Sequence, residues 1–432
     1  MKKLILQGCT RLSNIHASLG NLKQLIRLDL NGCKSLKSLP NKIGLEALEI
    51  FDLGGCSRLK KFPEIVGNMS RLSELYLNET SIKDLPLSME HVTGLIKLDL
   101  RDCKNLSSLP NACCSSMSLK ILTLSGCSKI DELPEKLGNL KGLEELDVSG
   151  TAIKDLPLAM QHVTGLIKLD LRDCKNLSHL PNACCSSMSL KILTLSGCSK
   201  IGELPKNLRN LEGLEELDVS GTTIKMPPTS INLLKNLKVL SLHGCEGLSP
   251  KSSNKLISFQ QRSNPYPMVM LENSLSGLCS LTQLDLSFCN LQSIPDYIGC
   301  LSYLSYLNLG GNNFVCLPKI IQLSNLKILR LSFCTRPQSM PTLPLNMDYI
   351  FARNTSLETL SIRPDDEFVP EINLVNCVKL IENQEYGDVV FAMLRQYLIN
   401  VQVSLCLYLF LSVCLYACVC CMCSSKHYDF SF

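Results

Sequence analysis

The pattern L-x-x-L-x-L-x-x-C-x-x-L-x-x-L-P returns every 22–24 residues down this chain. One copy reads Leu25, Leu28, Leu30, Cys33, Leu36, Leu39 and Pro40. Another reads Leu95, Leu98, Leu100, Cys103, Leu106, Leu109 and Pro110, and a third Leu190, Leu193, Leu195, Cys198, Ile201, Leu204 and Pro205. Inside each copy the stretch x-x-L-x-L alternates, so its leucines share one side of a short strand. A single copy has nowhere to hide that side and is stable only when stacked on its neighbours. Each leucine removed from water contributes about 1.5–3 kcal/mol, so the stack holds itself together. The leucine-proline step marks where the chain leaves the sheet, since proline there need not donate to a ladder.

A fixed period of this length, with these apolar positions, predicts an α/β-type leucine-rich-repeat solenoid. The expected shape is a horseshoe with a parallel concave sheet and a mostly irregular or short helical convex side. The first leucine of the pattern falls at Leu25, Leu48, Leu72, Leu95, Leu119, Leu143, Leu166, Leu190, Leu214, Leu237, Leu281, Leu304 and Leu326. About 15 coils then occupy residues 1–360. Coils carrying Cys-x-x-Leu alternate with shorter ones carrying Thr-x-Ile, as at Thr80 to Ile82. A block of three coils is nearly copied outright: HVTGLIKLDLRDCKNLS at 91–107 returns at 162–178, and NACCSSMSLKILTLSGCSKI at 111–130 returns at 182–201.

The 24 cysteines lose their strangeness once placed. Cys9, Cys33, Cys56, Cys103, Cys127, Cys174, Cys198, Cys245, Cys289 and Cys334 occupy one position of the pattern. Thr80, Thr151, Thr222 and Asn312 stand there in other coils. That position therefore takes a small, weakly polar side chain, and the expectation is a buried structural ladder beside loop backbone groups. One cysteine per coil gives no disulfide framework, and reduced thiols suit a reducing compartment. The vicinal pairs Cys113–Cys114 and Cys184–Cys185 lack zinc spacing.

A formal net charge of +4 without a Lys/Arg run gives no support for nucleic-acid binding. The N-terminal MKKLILQGC has too short an apolar stretch for a secretory signal, which argues for a cytosolic solenoid. No phosphate-binding G-x-x-x-x-G-K-[ST] motif occurs, and the six histidines are scattered without a nucleophile–base pairing. The sequence calls for no enzyme, catalytic residue, cofactor or metal. What remains is a surface. The candidate partner-contact residues project from the sheet: Arg27, Asp29, Tyr76, Lys97, Asp99, Arg101, Asp147, Lys168, Asp170, Arg172, Asp218, His243, Tyr306 and Arg330. Strands ~4.8 Å apart bring Asp147 beside Asp170, with Lys97, Arg101, Lys168 and Arg172 placed to compensate. A lattice of solvated charges that keeps the sheet soluble is the structural alternative to a contact surface.

Two segments depart from the period. Residues 249–274 are polar and aperiodic, and read as a loop insertion. Residues 398–423 contain no charge and meet the length and apolarity of a transmembrane helix. They read either as a membrane anchor, making a membrane-anchored repeat protein, or as translated thymine-rich intron. The first coil is expected to show the apolar edge of Met1, Leu4, Leu6 and Leu12.

With GCSKI, GTAIKDLP and LRDCKNL phrasing, the coils resemble the repeat region of plant intracellular immune receptors of the TIR-type nucleotide-binding leucine-rich-repeat class. LPLNMDYIFARNTSLETL at 343–360 resembles the last coil of that family. INLVNCVKLIENQEYGDVVFAMLRQYL at 372–398 resembles the opening of its post-repeat jelly-roll domain, so 361–397 reads as a truncated β-type extension and 398–432 as a hydrophobic tail. The resemblance implies a protein-recognition module: contact with a pathogen effector or guarded host protein, and restraint of a nucleotide-binding domain in a full-length receptor.

Overall fold

In the computed structural model, residues 1–225, 228–245, 271, 273–359, 370–377 and 379 are described. Each x-L-x triplet forms a three-residue strand whose central residue points inward. Lys97–Asp99, Ile121–Thr123 and Glu145–Asp147 are examples. Among the described residues sixteen such strands build one parallel sheet in chain order, from Lys3–Ile5 to Glu371–Asn373. The register is uniform: Leu98 lies opposite Leu122, Leu122 opposite Leu146, and Leu146 opposite Leu169. Chemically equivalent positions therefore form continuous rows along the sheet.

The inward rows are the core. Leu25, Leu28, Leu30 and their counterparts as far as Ala352 have 0–2 % exposure, and Ile372 in the last strand has 8 %. Phe51 replaces leucine in one strand and meets Phe62 across the coil at 5.9 Å between ring centroids, filling the same layer with fewer, larger side chains.

Most coils return along the convex side through a five-residue 3-10 helix that starts directly after proline. Asn111–Ser115 follows Pro110, Glu135–Asn139 follows Pro134, and Asn182–Ser186 follows Pro181. The proline itself is extended, which is the conformation its ring favours. In two early coils Lys42–Ile43 and Glu64–Ile65 pair as a small parallel sheet instead. Backbones approach closely on this side. A methyl group on Gly94 would lie 1.9 Å from the carbonyl oxygen of Ser70, so only glycine fits there.

The insertion at 249–274 lies mostly outside the described residues. Leu271, Leu275 and Leu278 are buried at its end, and Gln283–Asp285 pairs directly with Val239–Ser241. The sheet thus passes the insertion without losing a strand. At the other end, the boundary expected at 360 needs correction. Glu371–Asn373 pairs in register with Tyr349–Phe351, and the Cys377 thiol donates to the Ala352 carbonyl as a ladder cysteine does. The physical reason is local: Ile372 supplies the inward apolar residue and Cys377 the donor that one more rung needs. Residues 380–397 of the expected extension, and the tail at 398–432, lie outside the described residues. Among those described, no helix is long and apolar enough to cross a membrane.

Candidate interaction surface and its structural ladder

Beneath the rim where the strands end, the ladder side chains tie each coil to the one before. The Cys33 thiol donates to the Leu6 carbonyl, Cys56 to Leu30, Cys103 to Leu77 and Cys127 to Leu100, at Sγ···O distances of 3.0–3.2 Å. Cys174, Cys198, Cys245, Cys289 and Cys334 donate to Val148, Leu171, Val219, Leu242 and Leu309 in the same way. Each thiol adds a second donor, from the next coil, to a carbonyl that already closes its own turn, as the Leu30 carbonyl does with the Cys33 amide and the Leu100 carbonyl with the Cys103 amide. Thr151 and Thr222 turn instead to their own coils, donating at 2.7 Å to the carbonyls of Val148 and Val219. Thr80 lies 3.4 Å from the Cys103 thiol of the next coil. Asn312 bridges coils, donating to Leu286 and Leu309 and accepting from the Cys289 and Leu291 amides. Cys9 is exposed, with no coil of the chain stacked beyond it. Burial pushes the Cys56 thiol up to about 12 and Cys334 up to about 11, so both stay protonated donors.

On the concave face a second rule operates. The last residue of most strands is Asp or Asn, and its side-chain oxygen accepts the amide two residues on. Asp29 accepts from Asn31, Asp99 from Arg101, Asp147 from Ser149, Asp170 from Arg172 and Asp218 from Ser220, at 2.9–3.2 Å. These carboxylates cap the turn that follows each strand. The residue at i+2 decides what else they meet. Where it is arginine, the guanidinium folds back: Arg101 grips Asp99 at 2.7 Å and Arg172 grips Asp170 at 2.7 Å. Arg27 grips Asp29 from the preceding side at 2.9 Å. Where it is serine, the hydroxyl closes the gap, as Ser149 does on Asp147 and Ser220 on Asp218.

The expectation that these aspartates stand exposed is corrected for three of them. Asp29, Asp99 and Asp170 have 4 %, 1 % and 2 % exposure, because each is covered by its own arginine. Their carboxylates raise the affinity of Arg101 and Arg172 for the proton through the hydrogen bond first and their charge second. Asp147 does lie opposite Asp170 in the register. Asp147 also adds to the potential holding Arg101 and Arg172 charged, so the like-charge pair is compensated as its neighbours require. Tyr76 donates to Glu74 at 2.8 Å, and the Lys97 ammonium sits 5.0 Å from its ring centre. Lys168, the copy of Lys97, is half-buried on the equivalent strand.

The later coils are furnished differently. His243 shares a 2.7 Å hydrogen bond with Ser287 and meets the edge of Phe288 at 5.4 Å. Phe288 lies over Gly311, where a methyl would strike its ring at 2.5 Å, and reaches Phe333 at 6.2 Å. On the sheet itself the Arg330 guanidinium sits between Tyr306 and Phe351, 5.8 and 4.8 Å from their centres. His243 thus joins Phe288 and Phe333 along the rim, while Tyr306 and Arg330 join Phe351 on the sheet, and the sequence reading left out all three of these phenylalanines. A signal for two of them was present. The residue before the ladder position is held at positive φ, and is glycine at 32, 55, 126, 150, 197, 221, 244 and 311. Phenylalanine occupies it in LDLSFC and LRLSFC, at φ of 56° and 66°.

Among the described residues no cluster of side chains could hold a metal ion.

A family model described as "Disease resistance protein RPS4B-like, leucine-rich repeats" matches residues 44–132, and a general leucine-rich-repeat model matches 189–211 and 280–301. The chain is 32 % identical over 405 residues to a probable disease resistance protein of Arabidopsis thaliana, covering 86 % of this chain and 22 % of that protein. It is 34 % identical over 328 residues to the TMV resistance protein N of Nicotiana glutinosa, covering 75 % of this chain and 25 % of the relative. The chain thus spans about a quarter of the length of such relatives. Among solved structures, a leucine-rich-repeat protein of Leptospira interrogans superposes with a TM-score of 0.51 at 26 % identity, covering 76 % of this chain and 89 % of that one. An internalin of Listeria monocytogenes superposes at 0.52 and 21 % identity, covering 76 % and 86 %, a likeness of fold alone. The leucine-rich-repeat array is a protein-interaction fold, not a catalytic one. Over most of its length, this chain is a leucine-rich-repeat region related to that of plant disease resistance proteins.

Proposed function

We propose that the chain is the recognition part of an intracellular plant immune receptor, reading a pathogen effector or a guarded host protein by contact across its concave face. In a full-length receptor the same array would restrain a nucleotide-binding domain until that contact is made. The observation that carries the reading is the shared sequence with resistance proteins over 75–86 % of the chain, on a fold whose long open face is lined by polar and aromatic side chains. A cytosolic setting accords with the ladder, since thiols that each donate to a carbonyl must stay reduced. The alternative is a membrane-anchored interaction protein, for which the uncharged run at 398–423 is the supporting feature.

The test is an interaction screen with the whole chain as bait. Captured proteins should lose binding when concave residues such as Tyr76, Lys97 or Arg330 are replaced. A bait whose captures are untouched by every concave substitution would sink the reading. Recovery of the chain in membranes after alkaline carbonate washing would favour the anchor.

A further inference from the structure

The arginines of the concave face fall into two kinds. Arg27, Arg101 and Arg172 have their forks filled by Asp29, Asp99 and Asp170. Arg330 has no carboxylate within ion-pair distance among the described residues, and is steadied by Tyr306 and Phe351 instead. The nearest strand-end acid, Asp285, is already engaged by the Ser287 amide and hydroxyl and by the Asn308 side-chain amide. A guanidinium steadied by rings and by no carboxylate keeps its donors available for one.

Three residues after Arg330 in the same coil stands Phe333, which meets Phe288 along the rim, the two rings at 52 % and 47 % exposure. Both sit in the left-handed region, where a bulky side chain is disfavoured and where the other coils use glycine, Asp, Asn or Glu. Two exposed rings placed at a strained position, two coils apart, bring no core burial to offset that cost. Strain of this kind is retained where the side chain is used.

We propose that Phe288, Tyr306, Arg330, Phe333 and Phe351 form a docking platform for an acidic peptide segment of a protein partner, its Asp or Glu carboxylate on the Arg330 fork and a flanking large apolar side chain across Phe288 and Phe333. The occupant follows from charge and shape together: one unfilled cationic fork, flanked by exposed rings, with the neighbouring carboxylate already consumed. This assignment rests on the protein-recognition reading above and places it in the later coils.

A random dodecamer peptide library displayed on phage is panned against the whole chain, and against its Arg330→Met and Phe288→Gly/Phe333→Gly variants. The glycine variants put back the residue that other coils carry, so they remove the rings without straining the turn; melting curves verify that all proteins fold. The expected result is enrichment of peptides with Asp or Glu next to Leu, Ile, Phe or Met, binding at least tenfold more weakly to either variant. Enrichment of basic peptides, peptides indifferent to both variants, or no enrichment would overturn the platform. Captured whole proteins that lose binding on Lys97 or Lys168 substitution but not on Arg330→Met would keep the recognition reading and discard this surface.

Discussion

The duplicated coils around Lys97–Asp99 and Lys168–Asp170 and the later coils from Gln283 to Phe351 share one backbone plan, yet their faces are opposites. In the first, charges are closed on themselves: a buried aspartate caps its turn, and a half-exposed arginine covers it. In the second, an arginine lies open between rings and phenylalanine replaces glycine at the rim. The difference teaches that a charged residue on a repeat face cannot be ranked by its charge. Asp99 is charged and spent; Arg330 is charged and unspent.

Four measurements break or sharpen this contrast. The largest effect is expected from Asp99→Ala, which strands the Arg101 amide and frees its guanidinium. It should destabilise the chain by about 2–4 kcal/mol in urea unfolding. A loss under about 0.5 kcal/mol would mean that Asp99 is ordinary surface and the two faces are alike.

Next comes alkaline pH, where the two regions should agree. In the unfolded chain a ladder thiol ionises near 9.0, whereas burial holds Cys56 to about 12 and Cys334 to about 11. A folded value raised above the unfolded one means the thiol's contribution is intact below pH 9 and is lost as pH climbs from 9 through 11–12. Between pH 8 and 10 each thiol should take about 1.4 kcal/mol of stability away. Cys56→Thr and Cys334→Thr, under reducing conditions, should each lessen the decline by that amount. Unequal savings would extend the regional difference into the ladder.

Third, Phe333→Gly should leave stability within about 1 kcal/mol of the parent, relief of the left-handed strain offsetting lost ring contact. A loss of 3 kcal/mol would show that the ring belongs to the core. The smallest change is expected from Arg330→Met, under about 0.5 kcal/mol, since the guanidinium is exposed and unpaired by any described carboxylate. Differential unfolding curves against Asp99→Ala would expose any departure.

The strand positions, the inward leucines, the ladder and the near-copy of three coils were all legible in the chain, because a stacked coil leaves each framework position a single environment. Burial of Asp29, Asp99 and Asp170 was not, although D-L-R at 99–101 and 170–172 held the clue. A reading that assigns alternate strand residues to solvent has no place for an arginine that folds back two residues. The rung at Glu371–Asn373 was missed because the segment resembled the start of another domain, although Cys377 follows Thr355 at the ordinary spacing of 22 residues. The small convex sheet of Lys42–Ile43 and Glu64–Ile65 has no sequence mark that separates it from the 3-10 turns elsewhere. Phe288 and Phe333 stand where most coils carry glycine, a mark present in LDLSFC and LRLSFC that gains its meaning only once the backbone shows the position to be left-handed.

The ladder has a consequence for how such a chain changes length. Because the ladder cysteines tie their coils to the one before in the same way in both copies, a block of three coils meets equivalent faces at either of its two places. The array then behaves like a crystal that grows in one direction only. Cutting it and inserting a whole block opens two faces and closes two identical ones, so the area at the ends is unchanged while every added layer brings its own interface. Lengthening is downhill, and shortening by a block leaves no scar. A lineage can therefore slide the open surface of its later coils farther from, or nearer to, whatever precedes the first rung, without redesigning a single contact.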